Sequence, residues 1–200
     1  FQADADELLD GVTGVFITGG DQMRLVSILG GTKFSQKLRR MVAETNIVVA
    51  GTSAGAAGMS TSMIVRGEST PHPHKNSVRL SPGLGFLKNI IIDQHFTERG
   101  RISRLITAVS YNPYNLGIGI DENTAIILDN QGILEVFGAG AVTIVDGSGI
   151  TYNEIAEVED FESFSVCGVQ LHILGDGLIY DYFARHPMQP PNEFLLPDIE

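Results

Sequence analysis

The sequence predicts an α/β fold, with parallel strands in its first half and antiparallel strands toward the C-terminus. Three observations carry this. Between residues 14 and 60, short apolar runs alternate with amphipathic, helix-length segments, the order that sets parallel strands beside covering helices. After residue 116, apolar runs succeed one another at turn-punctuated intervals with no helix between them, as antiparallel strands do. The 200 residues are 43% hydrophobic and 18% charged with no low-complexity run, which is enough apolar material for one folded core.

Asp4 to Asp10 reads as a short acidic helix. Gly14 to Thr18 reads as a buried strand ending in Gly19-Gly20-Asp21-Gln22, and Met23 to Leu29 as a helix. Glycines after a strand let the backbone approach a ligand and leave N–H groups free at the next helix N-terminus, although an ordinary strand-to-helix turn uses the same residues. Phe34 to Thr45 reads as a second helix with Leu38, Met41 and Val42 on one face.

The stretch NIVVAGTSAGAAGMS, residues 46–60, is the centre of the chain. Asn46 to Ala50 has the β-branched, unbroken apolar character of a strand buried on both faces. Gly51-Thr52-Ser53-Ala54-Gly55 follows as a G-x-S-x-G turn, and then come small residues suited to a helix packed closely on a sheet. Strand, turn and helix in succession are the context of a nucleophile elbow, whose glycines clear space around a serine at its apex. In a chain with 23 glycines the pattern alone is weak, and the flanking elements strengthen it.

Met63 to Gly67 reads as extended, and Ser69 to Pro82 as a loop carrying His72 and His74. That H-x-H pair stands between prolines without a carboxylate or cysteine cluster, so it is not read as a metal site. Ile90 to Asp93 reads as a buried strand. It opens the densest polar cluster of the chain: Asp93, Gln94, His95, Glu98, Arg99, Arg101 and Arg104. Arg101 and Arg104 share a face at the start of a helix, Arg101 to Tyr111, where cations oppose the macrodipole unless an anion is bound. The reading is anion or substrate binding, with pairing to local acids such as Glu98 as the alternative. Leu116 to Ile120 is a strand ending in Asp121-Glu122-Asn123. Thr124 to Leu128, Ile133 to Phe137 and Ala141 to Val145 are short antiparallel strands, and Phe164 to Leu174 is one extended run. Residues 1–200 are read as one domain, with residues 187–200 as a Pro-rich tail.

The net charge of −11 opposes nucleic acid and anionic membranes as partners. The longest apolar stretches are strand-sized, so no membrane span is expected. One cysteine excludes an internal disulfide and fits a reducing, cytoplasmic location. Cys167 lies in the apolar run SVCGVQLHIL, where a buried, inert thiol is expected.

A nucleophilic serine needs a base and an acid that orients it. His95, His172 and His186 are the candidate bases, and Glu122, Asp121 and Asp146 the candidate acids. The order serine, acid, histidine selects Ser53, Asp121 or Asp146, and His172, but His172 sits within an apolar strand pattern and reads as a satisfied core histidine. Ser53, His95 and Glu122 each follow a strand, and parallel strand ends converge on one crevice. Spacing favours this second set without excluding the first.

The segments FITGGDQMRL (16–25), AGTSAGAAGMS (50–60), IIDQHFTERGRISRL (91–105) and LGIGIDENTA (116–125) together resemble the cyanophycinases, in the serine peptidase family that includes the α-aspartyl dipeptidases. The resemblance implies a flavodoxin-like, three-layer sandwich like that of the class I glutamine amidotransferases. It implies a triad of Ser53, His95 and Glu122. It also implies hydrolysis of cyanophycin, a poly-aspartate carrying arginines, to β-aspartyl-arginine dipeptides. Carried over by motif, Gln22, Asp93 and Gln94 contact substrate, and Arg99, Arg101 and Arg104 meet its carboxylates. Gly20 and Ala54 are chosen for the oxyanion hole. The resemblance implies no metal or organic cofactor, and a homodimer. The family's opening strand and helix, with its glycine-rich turn, has no match in this chain. The alternatives are a dipeptidase on short aspartyl peptides and a non-catalytic binding module on the same fold.

Overall fold

A computed structural model describes residues 5–188. The chain runs α1 (Ala5–Leu9), β1 (Gly14–Ile17), α2 (Gln22–Leu29), α3 (Lys33–Glu44), β2 (Val48–Gly51), α4 (Ala54–Gly58), and the hairpin β3 (Ser62–Gly67) and β4 (Val78–Pro82). It continues with β5 (Ile90–Gln94), a 3-10 turn (Thr97–Arg99), α5 (Ile102–Tyr111), β6 (Leu116–Ile120), β7 (Thr124–Leu128), β8 (Ile133–Gly138) and β9 (Val142–Asp146). Short strands close the described chain: β10 (Tyr152–Asn153), β11 (Val166–Cys167), β12 (Gln170–Leu174), β13 (Ile179–Asp181) and β14 (His186–Met188). The fold is mixed α/β. Side-chain caps start α2 and α3, where Asp21 and Thr32 accept from the N–H groups of Arg24 and Ser35.

The centre is a four-stranded sheet in the order β12-β9-β6-β5, with β5 and β6 parallel and β6–β9 and β9–β12 antiparallel. Every residue of β6 and β9 is buried, so one face must be covered by each neighbouring layer. Ile90, Ile92, Ile118 and Ile144 pack on one side against Leu134, Val136 and Tyr180 of the antiparallel sheet β14-β13-β8-β7. Ile91 and Val145 pack on the other against Leu105, Ala108 and Val109 of α5 and Ile64 and Val78 of the β3–β4 hairpin. The glycines of Leu116-Gly117-Ile118-Gly119-Ile120 are required by this packing. A Cβ at Gly117 would lie 2.9 Å from Leu105, and one at Gly119 2.4 Å from the Phe96 ring.

Several expectations are corrected. Among the described residues the parallel ladders are β1·β2 and β5·β6, which stand in separate sheets, with one isolated parallel bridge at Ser60–Leu87, so a single mainly parallel sheet is not seen. The elbow strand is not buried on both faces. Gly14, Phe16, Val48 and Ala50 form one outward face of the β1–β2 pair, with Phe16 and Val48 each 65% exposed, because α4 packs on β2 and no described element covers the reverse side. Residues 78–82 form a strand rather than the end of a loop. Val78 is buried, and Pro82 occupies the terminal position of the strand, where a missing N–H is tolerated. The extended run 164–174 is broken at Gly168 (φ +82), where a Cβ would lie 2.1 Å from the Gly149 carbonyl oxygen. Cys167 is exposed on the short strand β11, so the apolar run around it does not bury the thiol. Residues 186–188 pair with β13, and the rest of the expected tail lies outside the described residues.

Candidate active site

Ser53 sits at the head of α4 with φ +51 and ψ −118, a conformation L-residues rarely adopt. The two elbow glycines make it possible. A Cβ on Gly51 would lie 2.7 Å from the Gly55 backbone, and one on Gly55 2.1 Å from the Ile17 carbonyl oxygen. The Thr52 N–H donates to that same Ile17 oxygen at 3.1 Å, tying the turn to the end of β1. His95 (φ +49) follows β5 and Asn123 (φ +53), next to Glu122, follows β6. Such backbone costs of order 1–3 kcal/mol per residue and persists only where the surroundings enforce it.

These strained turns bring three side chains into line. Ser53 Oγ lies 3.3 Å from His95 Nε2, and His95 Nδ1 lies 2.8 Å from Glu122 Oε1. The imidazole is largely shielded, while the Glu122 carboxylate, 51% exposed, sits at the solvent edge. Two other acids fix the loops. Glu98 Oε1 accepts from the Glu122 N–H at 2.9 Å. Asp121 accepts from Thr97 N–H at 2.9 Å, Thr97 Oγ1 at 2.5 Å and Ala141 N–H at 3.1 Å. Asp121, weighed as a triad acid, is therefore a loop clamp.

The rival set is not assembled. His172 lies on β12, separated from β5 by two intervening strands of the sheet, with its ring 5.6 Å from that of Tyr180. It is not a satisfied core histidine, because its Nε2 is buried without a partner among the described residues. Asp146 is fully buried and holds Ser148 and Arg185, while His186 is exposed on β14.

The remaining residues divide into two groups. Asp93 is 1% exposed and accepts from Arg101 Nη1 at 3.2 Å, from Arg104 Nε at 2.6 Å and from Arg104 Nη2. Arg101 also donates to the Gln94 carbonyl and, at 2.7 Å, to Gln94 Oε1, and Arg104 to the Gly67 carbonyl at 3.1 Å. Burial lowers the Arg101 pKa, with Asp93 opposing the fall. Asp93, Arg101 and Arg104, expected at the substrate, have their polar groups engaged with one another here. They face one another inside, and their hydrogen bonds tie down the two residues before His95. Gln22 Nε2 donates to the Ile64 carbonyl at 3.0 Å, and Arg99 is exposed at the end of the 3-10 turn. Ala54 directly follows Ser53 and Gly20 (φ +138) follows Gly19 after β1, and the N–H groups of Gly20 and Ala54 donate to no acceptor among the described residues. Gly19 stands closer still, since a Cβ there would lie 3.2 Å from Ser53 Cβ. The sequence marks it only as half of a Gly-Gly pair. Among the described residues no group of three or more His, Cys, Asp or Glu is placed to hold a metal ion, and no helix is long and apolar enough to cross a membrane. A hydroxyl, an imidazole and a carboxylate in this order can generate a nucleophile and pass its proton to a leaving group.

Residues 1–136 match the profile of peptidase family S51. The chain is 42% identical over 187 residues to a cyanophycinase of Synechococcus elongatus, covering 94% of this chain and 57% of that protein. It is 40% identical over 185 residues to a cyanophycinase of Geminocystis herdmanii, covering 92% and 68%. With one from Nostoc sp. it shares 42% over 177 residues, covering 88% and 59%. The chain thus spans little more than half the length of most of these relatives.

Proposed function

Because this chain belongs to peptidase family S51, we propose that it carries the catalytic apparatus of a serine exopeptidase that cleaves cyanophycin to β-aspartyl-arginine dipeptides. The observation that carries the reading is the continuous chain from Ser53 Oγ through His95 to Glu122, built on an elbow at the end of a strand. In this mechanism His95 Nε2 takes the Ser53 proton as Oγ attacks the scissile carbonyl carbon. Glu122 accepts from Nδ1–H and stabilises the imidazolium. The Gly20 and Ala54 N–H groups receive the developing oxyanion. As the C–N bond breaks, His95 returns its proton to the leaving amine. A water deprotonated by His95 then attacks the acyl-Ser53 ester, the peptide acid leaves, and the serine regains its proton.

We assign Gln22, Gln94 and Arg99 to the substrate-facing side, with Asp93, Arg101 and Arg104 shaping the same pocket from beneath. The layout we infer is the flavodoxin-like sandwich. Its support is that all three residues follow strands of the two parallel pairs. The location we infer is cytoplasmic and the assembly a homodimer, for which the exposed Leu171 and Ile173 of β12 offer an apolar edge. Replacing Ser53 by Ala and assaying dipeptide release from insoluble cyanophycin tests the reading: release is expected to vanish, and retained turnover refutes it.

A further inference from the structure

In the β3–β4 hairpin, pairing runs regularly through Ser62 with Pro82, Met63 with Ser81 and Ile64 with Leu80, and then the register slips, so that Arg66 stands opposite Arg79. Without the slip Val65 would occupy that position. The bulge therefore creates a pair of like charges directly across the strands, an arrangement that destabilises a hairpin. Bulges that re-aim a side chain occur beside functional sites, and a local conflict with no internal compensation points the same way.

Neither guanidinium makes an ion pair or a hydrogen bond among the described residues. Both line a pocket of about 280 Å³ whose wall also includes Glu68, His74, Asn76 and Phe161. His74 Nδ1 donates to the His72 carbonyl, and Asn76 Oδ1 accepts from Tyr111. The charged groups left to meet a ligand are two cations and the Glu68 carboxylate, beside the Phe161 ring, which is 72% exposed. Gly67, between Arg66 and Glu68, accepts from Arg104, which grips Asp93 two residues before His95. The pocket is one guanidinium away from the histidine turn.

We propose that this pocket binds a peptide that carries a carboxylate and a guanidinium close together. The carboxylate lies between Arg66 and Arg79, the guanidinium meets Glu68, and the intervening carbons rest on Phe161. This rests on the substrate reading above, in which each repeat of the polymer presents that pair of groups. The pocket then holds a repeat lying outside the catalytic cleft.

The test is sedimentation of the full chain carrying Ser53→Ala with insoluble cyanophycin. Arg66→Gln with Arg79→Gln is expected to weaken binding at least tenfold, given the charge-assisted bonds lost. Arg24→Gln with Arg40→Gln, an equal charge change on exposed positions of α2 and α3, should leave binding within about twofold of the parent. In the Ser53 background, labelling by a serine-directed phosphonate should be unaltered by the Arg66 and Arg79 changes. The melting temperature should rise, because the repulsion is gone. Unchanged sedimentation of the Arg66/Arg79 variant, equal loss in the Arg24/Arg40 variant, or no binding by the parent chain would overturn the proposal. Binding that depends on these arginines without any hydrolysis would instead refute the peptidase reading and leave the pocket standing.

Discussion

Asp93→Asn separates a structural network from a substrate contact. The substitution keeps size and shape but removes the negative charge that, among the described residues, pairs with Arg101 and Arg104, two arginines that are 9% and 6% exposed. Removing one partner of a buried ion pair costs about 3–5 kcal/mol, since a charge is left without compensation. One amide oxygen can still accept from Arg104, so a loss near 3 kcal/mol is expected. At 2–4 °C per kcal/mol for a chain of this size, that lowers the melting temperature by roughly 6–12 °C. Urea unfolding followed by circular dichroism measures it directly. The double variant Asp93→Asn, Arg104→Met should regain stability, because it removes a lone buried cation. If Asp93→Asn unfolds within about 1 kcal/mol of the parent while substrate binding fails, Asp93 is a substrate contact and the network argument is wrong.

Three further outcomes are expected. Glu122→Gln should cut turnover by roughly 10²–10⁴ with little change in melting, since the side chain is half exposed and its role is to hold the imidazole; dipeptide release and thermal scans check both halves. Gly119→Ala drives a methyl into the Phe96 ring, so it should cost about 1–3 kcal/mol. Because Phe96 adjoins His95, it should also slow phosphonate labelling by on the order of 10² through displacement of the base. Tyr180→Phe should be neutral or stabilising by about 1 kcal/mol, as the buried hydroxyl has no partner among the described residues. Burial, then the Asp146 charge, raises the Tyr180 pKa. The unfolded phenol ionises near pH 10 while the folded one keeps its proton, so this group makes stability fall by about 1.4 kcal/mol per pH unit above pH 10. Urea titrations from pH 8 to 11 should show that fall reduced in Tyr180→Phe.

The elements were readable where local pattern and tertiary context agree. Ile90 to Asp93 and Leu116 to Ile120 are unbroken apolar runs, and both form buried, mutually parallel strands of the main sheet. Ser53 was legible because its glycines are sterically obligatory, and the His95 and Glu122 positions because both end strands. What failed depended on neighbours distant in sequence. Coverage of the outer face of β1 and β2 is decided by elements elsewhere, so Phe16 and Val48 gave no local sign of exposure. The cationic start of α5 was read correctly as a conflict, yet the anion that resolves it is Asp93, eight residues before Arg101. Sequence shows that these groups are close but not which way they point. Cys167 failed for a similar reason, since Gly168 turns the chain and breaks the run that looked continuous.

The placement of Ser53 on one sheet and of His95 and Glu122 on another has a mechanical consequence. His95 and Glu122 follow β5 and β6, which are hydrogen-bonded to each other, whereas Ser53 follows β2, which among the described residues pairs with β1 alone. Their separations differ accordingly, 2.8 Å within the sheet and 3.3 Å between sheets. The imidazole and carboxylate belong to one block and the hydroxyl to another, joined by α4 packing on β5 and by the bond from Ile92 N–H to Ser60 Oγ. The distance from hydroxyl to imidazole is therefore a gauge of how the two blocks are docked. Anything that slides one past the other opens or closes that gap without disturbing either block.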